Sequence, residues 1–367
     1  MLEYTGAPYD PALSVACSAM AVETWYFAEV VRGIEDLASA ELEELGAVDV
    51  RPGEGGLRLR HPRPSVLLDA GMVSAVYREL RYDVARPKAL LGDAAARRLA
   101  AVVSETAGSM RTFRLAAAGS DSTVFRRLGA GLEQATRLRE DRVDGEMLVR
   151  IRPFREADES GWEVLVRLTS RPLSTRSWRT CNRPGGLNAT VAVALNDVLG
   201  IDATDRYLNL MCGSGTLLVE RALAAPYQRL VGVDIEASAL ACSADNLASA
   251  AVGSDVELIA GDVRDRGLAE LLLDGLRAGG TSGFSSVAVD APWGDAIGSH
   301  RENEELHQAV FRLASAVLAP RGRFGLITHE VKLLRRLLDR DHDWKVVSRR
   351  QVAHGGHNPV MLVLERV

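Results

Sequence analysis

YLNLMCGSGT, at residues 207–216, is the stretch of this 367-residue sequence that decides the fold of its C-terminal half. An apolar strand runs directly into Gly213 and Gly215, and a helical pattern follows as far as Ala224. Glycines in such a turn let a ligand approach the backbone without meeting a Cβ atom, and the next helix leaves its first amide groups free for an anionic group. Val219 replaces the third glycine of a dinucleotide fingerprint, and no Gly-Lys-Ser/Thr follows, which excludes a P-loop. The stretch therefore predicts a ligand-binding turn in an open α/β sheet.

Strands alternate with helices around this turn. Helices are predicted at 188–199, 237–250 and 303–318, and further strands at 230–234, 256–260, 286–290 and 323–328. Repeated β-α-β units imply a parallel sheet with helices on both faces. The chain ends differently, since residues 344–352 and 360–364 predict an antiparallel hairpin. The predicted fold class is α/β, with a Rossmann-like domain over residues 187–367 that has a mainly parallel sheet and an antiparallel C-terminal hairpin.

Aspartates end the second and third predicted strands. Asp234 lies 19 residues after Gly215 and can accept hydrogen bonds from both hydroxyls of a ribose, or cap the following helix. Asp262 can accept from the exocyclic amine of an adenine, or cap the next helix. Because ligands of open α/β sheets bind beyond the carboxyl ends of the strands, these residues predict a nucleoside-containing ligand, and NAD remains open at this point.

DAPW, at residues 290–293, ends the fourth strand with a carboxylate, a proline-stiffened turn and an aromatic ring. An exocyclic amine shares its lone pair with its ring, and an acceptor for its N–H helps to direct that pair toward an electrophilic methyl group. An aromatic ring holds a base by stacking, which contributes about 1–3 kcal/mol. Asp290, Ala291, Pro292 and Trp293 are therefore the predicted catalytic residues of a methyl transfer to a planar amine. The alternative is a structural loop with a buried Trp.

The N-terminal half is basic in its middle. Residues 76–180 contain 20 Lys and Arg against 14 Asp and Glu, although the whole chain has a formal net charge of -5. A basic segment between acidic flanks suits contact with phosphates, and the alternative is a set of solvated Arg-rich helices. The predicted elements here include a strand at 25–31, a helix at 65–80, and strands at 147–151 and 162–168.

These motifs resemble those of the THUMP-domain methyltransferases, which modify guanine N2 in RNA. The first motif of that family reads approximately D-P-x-C-G-S-G-T with a Glu four residues on, and residues 209–216 read NLMCGSGT, with Glu220 in place. The fourth family motif is D/N-x-P-Y/F-G, and residues 290–294 read DAPWG. LNATVA at 187–192 and FAEVVRGIEDL at 27–37 resemble further segments of the family.

The sequence departs from the family pattern at both motifs. Asn209 stands in place of the usual Asp, which weakens a charged contact near the methionine end of the cofactor. Ala291 and Trp293 replace the commoner Pro or Leu and Tyr or Phe, and the larger indole narrows the pocket. The target base is therefore less firmly indicated than the cofactor.

The resemblance implies S-adenosylmethionine as the cofactor. The residues expected to bind it lie at the start of the upstream helix, in the glycine turn and at two strand ends: Asn188, Thr190, Asn209, Met211, Cys212, Gly213, Ser214, Gly215, Thr216, Asp234, Ile235, Asp262 and Val263.

The resemblance also implies an α+β N-terminal half that binds RNA. It places a ferredoxin-like module at 23–90 and a THUMP-like RNA-binding module at 91–172, with a linker at 173–186. The candidates for phosphate contacts are the arginines Arg111, Arg114, Arg126, Arg127, Arg137 and Arg139.

The predicted function is transfer of a methyl group from S-adenosylmethionine to the exocyclic N2 of a guanosine in RNA, with tRNA as the expected substrate. An adenine-N6 methyltransferase acting on DNA or rRNA would use the same Asp-x-Pro-aromatic corner. A non-catalytic RNA-binding protein with a decayed site is the alternative from another class.

Cysteine and histidine usage predicts neither a disulfide framework nor a metal site. None of Cys17, Cys181, Cys212 and Cys242 forms a C-x-x-C pair, so free thiols and a cytoplasmic location are expected. The spacing of His354 and His357 resembles a metal pair only superficially.

The ends and the surface of the chain give three further expectations. No run approaches the roughly 20 apolar residues that span a bilayer, so no membrane association is expected. Residues 1–22 are predicted to form a flexible leader that lacks the basic start of a signal peptide, with Met20 as an alternative start. The expected oligomeric state is a monomer or a weak dimer.

Overall fold

The computed structural model describes residues 24–156, 158–277, 282–291, 300–340, 343–353 and 356–367. The chain divides into two compact units. The first contains the chain up to Val30 and Ala38–Leu173, and the second contains Val31–Leu37 and Ser174–Val367. The predicted leader at 1–22, together with Pro292, Trp293 and His354, lies outside the described residues.

The first unit is built on a sheet that has eight strands among the described residues. The strands are β1 (Trp25–Val30), β2 (Val48–Gly53), β3 (Gly56–Arg60), β4 (Val73–Tyr82), β5 (Thr112–Ala117), β6 (Arg139–Glu140), β7 (Met147–Glu156) and β8 (Glu159–Arg167). The α-helices are α1 (Glu35–Glu44), whose first residues group with the second unit, α2 (Asp93–Thr106) and α3 (Thr123–Ala135). The strand order is β2-β3-β1-β4-β8-β7-β5-β6. Because β4 pairs with β8, one sheet takes strands from both predicted N-terminal modules.

The helix predicted at 65–80 is wrong. A 3-10 helix covers Pro64–Asp69, and β4 follows. β4 lies between β1 and β8, and it buries consecutive residues such as Ala75, Val76 and Tyr77. A strand that is covered on both faces loses the alternation of apolar and polar side chains, so its sequence does not carry the period of a half-exposed strand.

The second unit alternates strands and helices before it ends in a hairpin. Its helices are α4 (Ala189–Leu199), α5 (Thr216–Ala224), α6 (Ala237–Ser249), α7 (Gly267–Arg277), α8 (His300–Val317) and α9 (Val331–Arg340). Its strands are β9 (Arg206–Leu210), β10 (Arg229–Asp234), β11 (Glu257–Ala260), β12 (Phe284–Asp290), β13 (Leu318–Thr328), β14 (Trp344–Gln351) and β15 (Val360–Arg366).

Five parallel strands form the main part of this sheet, which has the order β11-β10-β9-β12-β13-β15-β14. β15 runs antiparallel to both β13 and β14. The predicted mainly parallel sheet with an antiparallel C-terminal hairpin is therefore confirmed. The strand order reverses between β9 and β12, and ligands of open α/β sheets bind in the crevice at such a switch point.

One face of the sheet in the second unit carries a large apolar core. Leu208, Val231 and Phe324 from the strands pack there with Phe311 of α8 and Leu334 of α9. A fully buried side chain of this kind contributes roughly 1.5–3 kcal/mol to stability. This core fixes the strands whose carboxyl ends form the candidate site.

Residues 31–37 contact the C-terminal hairpin within the second unit. The amide of Ala353 donates to the carbonyl of Arg32 at 2.9 Å, and Arg350 forms an ion pair with Asp36 at 2.5 Å. Gly33 has φ +103°, and a Cβ atom there would lie 2.0 Å from the carbonyl oxygen of Gln351. Only glycine permits this close approach of two backbones.

Candidate active site

The glycine turn after β9 has a left-handed backbone at three positions. Met211, Gly213 and Gly215 have φ values of 54°, 57° and 75°. A Cβ atom on Gly213 would have no described atom within 4 Å, whereas one on Gly215 would lie 2.8 Å from Oγ of Ser243. The turn is therefore open to a ligand at Gly213 and closed against α6 at Gly215.

A cavity of about 690 Å³ lies at the carboxyl ends of β9, β10, β11 and β12. Its size is within the range of small-molecule and cofactor sites. It brings together most of the predicted site residues that the structure describes: Asn209, Met211, Cys212, Gly213, Ser214, Thr216, Asp234, Ile235, Asp262, Val263, Asp290 and Ala291.

Three predicted cofactor residues do not line this cavity. Asn188 caps α4, since its side chain accepts from the amide of Thr190 at 2.9 Å. Thr190 is fully buried, and Gly215 faces Ser243. Their positions indicate that they support the walls of the cavity.

Asp234 connects the glycine turn to the next strand end. Its two carboxylate oxygens accept from the amide of Gly213 at 2.9 Å and from that of Glu236 at 3.0 Å. A carboxylate offers about four lone-pair directions, so these two bonds orient the group and leave capacity for a further donor. Asp234 does not cap α6 with its side chain, because the N-cap position belongs to Glu236.

Asp262 is already held by a cation. Arg264 donates to its carboxylate through Nε and Nη2 at 2.8 to 3.0 Å. This hydrogen bonding keeps the pKa of the Asp262 carboxyl below its usual range. An adenine amine would therefore share Asp262 with Arg264, which also lines the cavity.

Asn209 and Asp290 lie on the neighbouring central strands β9 and β12. The Asn209 amide group donates to the carbonyls of Leu210 and Ala288 at 3.2 and 3.1 Å. Its Oδ1 is buried and has no hydrogen-bond partner among the described residues. An unsatisfied buried acceptor costs about 1–3 kcal/mol, so a donor on a bound ligand would stabilise this position.

Asp290 ends β12 at the cavity wall, and the following amide of Ala291 donates to Ile327 at 3.0 Å. The surrounding low-dielectric protein raises the pKa of the Asp290 carboxyl to about 7. The side chain can therefore be either a carboxylate or a neutral acid near neutral pH. Such a group in a cleft is typical of a catalytic position.

Cys212 is a buried free thiol in the glycine turn. Burial raises the pKa of this thiol to about 12. The reactive form of cysteine is the thiolate, so Cys212 is not a nucleophile at neutral pH.

A segment that sequence reasoning treated as a linker forms one wall of the cavity. We call residues 176–187 the strap. Arg183, Pro184, Gly185, Gly186 and Leu187 all line the cavity. The Pro and Gly content that indicated a linker also suits a segment that passes close to a ligand. Composition alone does not distinguish a linker from such a segment.

Buried polar side chains hold the strap in place. Asn246 of α6 accepts from the amides of Thr180 and Cys181 at 3.0 Å, and it donates to the carbonyls of Cys181 and Ser214 at 3.0 and 2.9 Å. Arg179 donates to Oγ1 of Thr216 at 2.9 Å. The strap and the glycine turn therefore share the same supports.

Glu220, the motif glutamate, joins this arrangement through an ion pair of 2.8 Å with Arg176. Burial raises the pKa of the Glu220 carboxyl, while the Arg176 guanidinium opposes that rise. The residue therefore anchors the start of the strap to α5 and does not contact the cavity.

The expectation of free thiols throughout is wrong. Cys181 of the strap and Cys242 of α6 form a disulfide, 61 residues apart in the sequence. Neither residue lies in a C-x-x-C pattern, and a pairing between distant cysteines cannot be read from spacing. The bond fixes the strap next to Asn246.

Several other residues that line the cavity were not foreseen. They lie close in sequence to predicted residues or on the first turns of α8: Glu236, Ala239, Gly261, Arg264, Glu302 and Leu306. Glu302 and Leu306 are four residues apart, which puts them on one helix face. Whether these two side chains face the cavity depends on the residue at which α8 starts, and the sequence does not determine that residue.

The six predicted RNA-binding arginines belong to the first unit. Five are exposed, and Arg114 is half-buried. Arg126 and Arg127 lie on α3, Arg139 of β6 pairs with Thr112 of β5, and Arg111 directly precedes β5. Their assignment to RNA stays a prediction.

Clustered metal ligands and bilayer-spanning helices are absent from the described part of the chain. No group of three or more His, Cys, Asp or Glu side chains there is arranged to hold a metal ion. None of its helices is both long and apolar enough to cross a bilayer.

Known proteins share the fold of this chain. Residues 176–359 match the family model described as "UPF0020: RMKL-like, methyltransferase domain". The crystal structure of TrmN from Thermus thermophilus is similar, with a TM-score of 0.73 and 25% identity over 94% of this chain and 100% of that one. The predicted Rossmann-like methyltransferase fold is thereby confirmed.

Two curated relatives are similar over parts of the chain. The U6 snRNA (guanine-N(2))-methyltransferase THUMPD2 of Bos taurus is 35% identical over 24% of this chain and 17% of its own. The tRNA (guanine(10)-N2)-dimethyltransferase of Methanothermobacter thermautotrophicus is 27% identical over 42% of each chain. The chain thus spans less than half the length of these relatives. The predicted resemblance to RNA guanine-N2 methyltransferases is confirmed.

Proposed function

The chain belongs to the family described as UPF0020, RMKL-like methyltransferase domain, and on that premise we propose that it methylates the exocyclic N2 of a guanosine in RNA, with tRNA as the substrate. The observation that carries the proposal is the position of Asp290, which lies on the cavity wall with a raised pKa, next to the strand that bears Asn209. The similarity to two guanine-N2 methyltransferases supports guanine over adenine, and one of them acts on tRNA.

The residues of the cavity fit S-adenosylmethionine. When bound, this cofactor supplies an activated methyl group on a sulfonium. The open side of Gly213 provides room next to the backbone, the buried Oδ1 of Asn209 provides an unused acceptor, and Asp234 retains lone pairs for hydroxyl groups. These three features suit the amino and ribose groups of such a ligand.

Asp290 orients the amine that is methylated. As a carboxylate it accepts an N–H of the guanine amine and directs the nitrogen lone pair toward the methyl group. As the new N–C bond forms, the nitrogen loses a proton, and a carboxylate with a pKa of about 7 can take it. Pro292 and Trp293 keep their predicted roles of stiffening the turn and stacking on the base.

Labelled methyl transfer tests the proposal. The full chain is incubated with S-adenosylmethionine carrying a tritiated methyl group and with unmodified tRNA, rRNA or DNA, and the product is digested to nucleosides. We expect label in N2-methylguanosine from tRNA. Label in N6-methyladenosine would establish the adenine alternative, and cofactor binding without transfer to any substrate would support a decayed site.

A further inference from the structure

Exposed cations lie on the side of the second unit that faces away from the cofactor strands. The cavity is built on β9, β10 and β11 together with the end of β12. The sheet continues on the other side of β12 through β13, β15 and β14. This second side therefore borders Asp290 and is available to a substrate that does not enter through the cofactor pocket.

Helix α9 presents a basic face on that side. Leu333 and Leu334 are buried, Leu334 belongs to the core under the sheet, and the other apolar residues of the helix are half-buried. Lys332 and Arg335 lie three residues apart on the opposite face, which also carries Asp339, and all three are exposed. A helix with one apolar and one basic face commonly lies between a core and an anionic partner.

The start of α9 is at the same rim as Asp290. β13 is parallel to β12, and Ile327 is in register with Asp290. α9 begins at Val331, three residues after the carboxyl end of β13. Lys332 is its second residue, and a rise of about 1.5 Å per residue places Arg335 only about 5 Å farther along the helix.

An ion pair also links α9 to α8, the helix whose first turns line the cavity. Arg336 contacts Glu304 of α8 at 3.6 Å. Glu304 lies two residues after Glu302, which lines the cavity. Arg336 is therefore paired within the unit, whereas Lys332 and Arg335 are exposed cations among the described side chains of this helix.

Arg349 of β14 extends the same surface. It is exposed and lies opposite Leu362 of β15, which belongs to the core that also contains Leu334. Paired residues on antiparallel strands share a face, so Arg349 is on the sheet face that α9 covers. Two residues further on, Gln351 pairs with Val360, which also pairs with Thr328 at the rim.

We propose that Lys332, Arg335 and Arg349, which we call the basic edge, bind the RNA backbone next to the target nucleotide. The inference rests on the proposed function. Phosphate contacts of this kind position a strand without reading its sequence, and such positioning is needed when a base leaves its stack to enter a pocket. The chain has a net charge of -5, so RNA binding must come from local cations such as these.

Charge reversal tests the basic edge. The triple variant Lys332→Glu, Arg335→Glu, Arg349→Glu is compared with the wild type for binding of unmodified tRNA at 50 and 200 mM salt. We expect Kd to rise at least about tenfold at the lower salt concentration, and the slope of log K against log salt to fall by about 2. S-adenosylmethionine affinity should stay within twofold, because no residue of the basic edge lines the cavity described here.

The matched control is Arg277→Glu. Arg277 is exposed and ends α7, ahead of the amino end of β12, so it lies at the rim opposite Asp290. Its reversal should leave RNA affinity within twofold of the wild type. Should the triple variant lose cofactor binding, the three single reversals replace it, and each should raise the RNA Kd by about two- to fivefold.

The outcomes separate this inference from the proposed function. RNA affinity and salt slope equal to the wild type in the triple variant would overturn the basic edge while leaving guanine methylation intact. RNA that binds the wild type tightly but receives no methyl group would overturn the proposed function, and the binding test of the basic edge would still apply. A wild type that binds no RNA would overturn both.

Discussion

At the scale of single residues, the burial of Asp290 sets its pKa and thereby its ability to accept a hydrogen bond from the amine. Burial disfavours the charged carboxylate and raises its pKa to about 7, so the fraction able to accept the amine hydrogen bond increases as pH rises through that value. We expect kcat/KM for RNA to rise between pH 6 and pH 8 and then level. A nearby sulfonium charge lowers the pKa of a carboxyl. The rise of kcat with pH should therefore occur at a lower pH than the rise of kcat/KM.

Asp290→Ala should abolish turnover while cofactor affinity stays within a few-fold. The loss of an oriented acceptor typically costs about 10²–10⁴ in rate. Isothermal titration with S-adenosylmethionine and single-turnover methyl transfer measure the two effects. Persistent turnover, or a pH profile without a limb in the wild type, would contradict the role given to Asp290.

Gly33→Ala should destabilise the second unit. The added methyl group meets the Gln351 carbonyl, and the φ of +103° is itself unfavourable for alanine. Backbone strain and overpacking together suggest a loss of about 2–4 kcal/mol in the free energy of unfolding.

Gly356→Ala is the control for that substitution. Gly356 also has a positive φ, of 81°, but no described atom lies within 4 Å of its added Cβ. The free energy of unfolding of the control should fall by about 1–2 kcal/mol, which is the contribution of backbone strain alone. Denaturant unfolding of both variants decides the matter, and equal losses would show that the contact with Gln351 is unimportant.

At the scale of elements, the strap depends on one side chain of α6. Asn246→Ala removes four hydrogen bonds to backbone groups of the strap and the glycine turn. Because those groups become unsatisfied, we expect a stability loss of about 2–4 kcal/mol and a weaker cofactor affinity, by about tenfold.

The control for Asn246 lies on the same helix. Asp245 is exposed, and Asp245→Ala should change both stability and affinity little. Thermal unfolding and cofactor titration are measured on both variants. If Asn246→Ala binds cofactor as tightly as the wild type, the strap does not support the turn.

Elements with a clear local signal were predictable, and those set by tertiary context were not. The glycine turn, the three strand-end aspartates and the final hairpin each carry a pattern in a few adjacent residues, and the structure places them together. β4 is buried on both faces, so its sequence does not show the alternation of apolar and polar residues that indicates a strand. The strap looked like a linker because its function depends on Asn246 and Cys242, which lie more than 60 residues away.

At the scale of the whole molecule, RNA binding and cofactor binding are expected to separate. The cavity belongs to the second unit, and the predicted RNA-binding arginines belong to the first. Arg126→Glu with Arg127→Glu should raise the KM for RNA at least about tenfold and leave the cofactor Kd unchanged.

Arg63→Glu serves as the control in the first unit. Arg63 is exposed and lies outside the predicted cluster, so its reversal should alter the KM for RNA by less than about threefold. Steady-state methyl transfer and cofactor titration are the measurements. An unchanged KM in the double variant would remove α3 from the RNA-binding surface.

The contact between residues 31–37 and the final hairpin has a consequence for translation. Arg32 and Asn358 are hydrogen-bonded but 326 residues apart, so one partner leaves the ribosome long before the other exists. The second unit cannot close before its hairpin strands β14 and β15 have been synthesised and have emerged. A ribosome that stalls before Gln351 would hold a nascent chain in which residues 31–37 lack their hairpin partners.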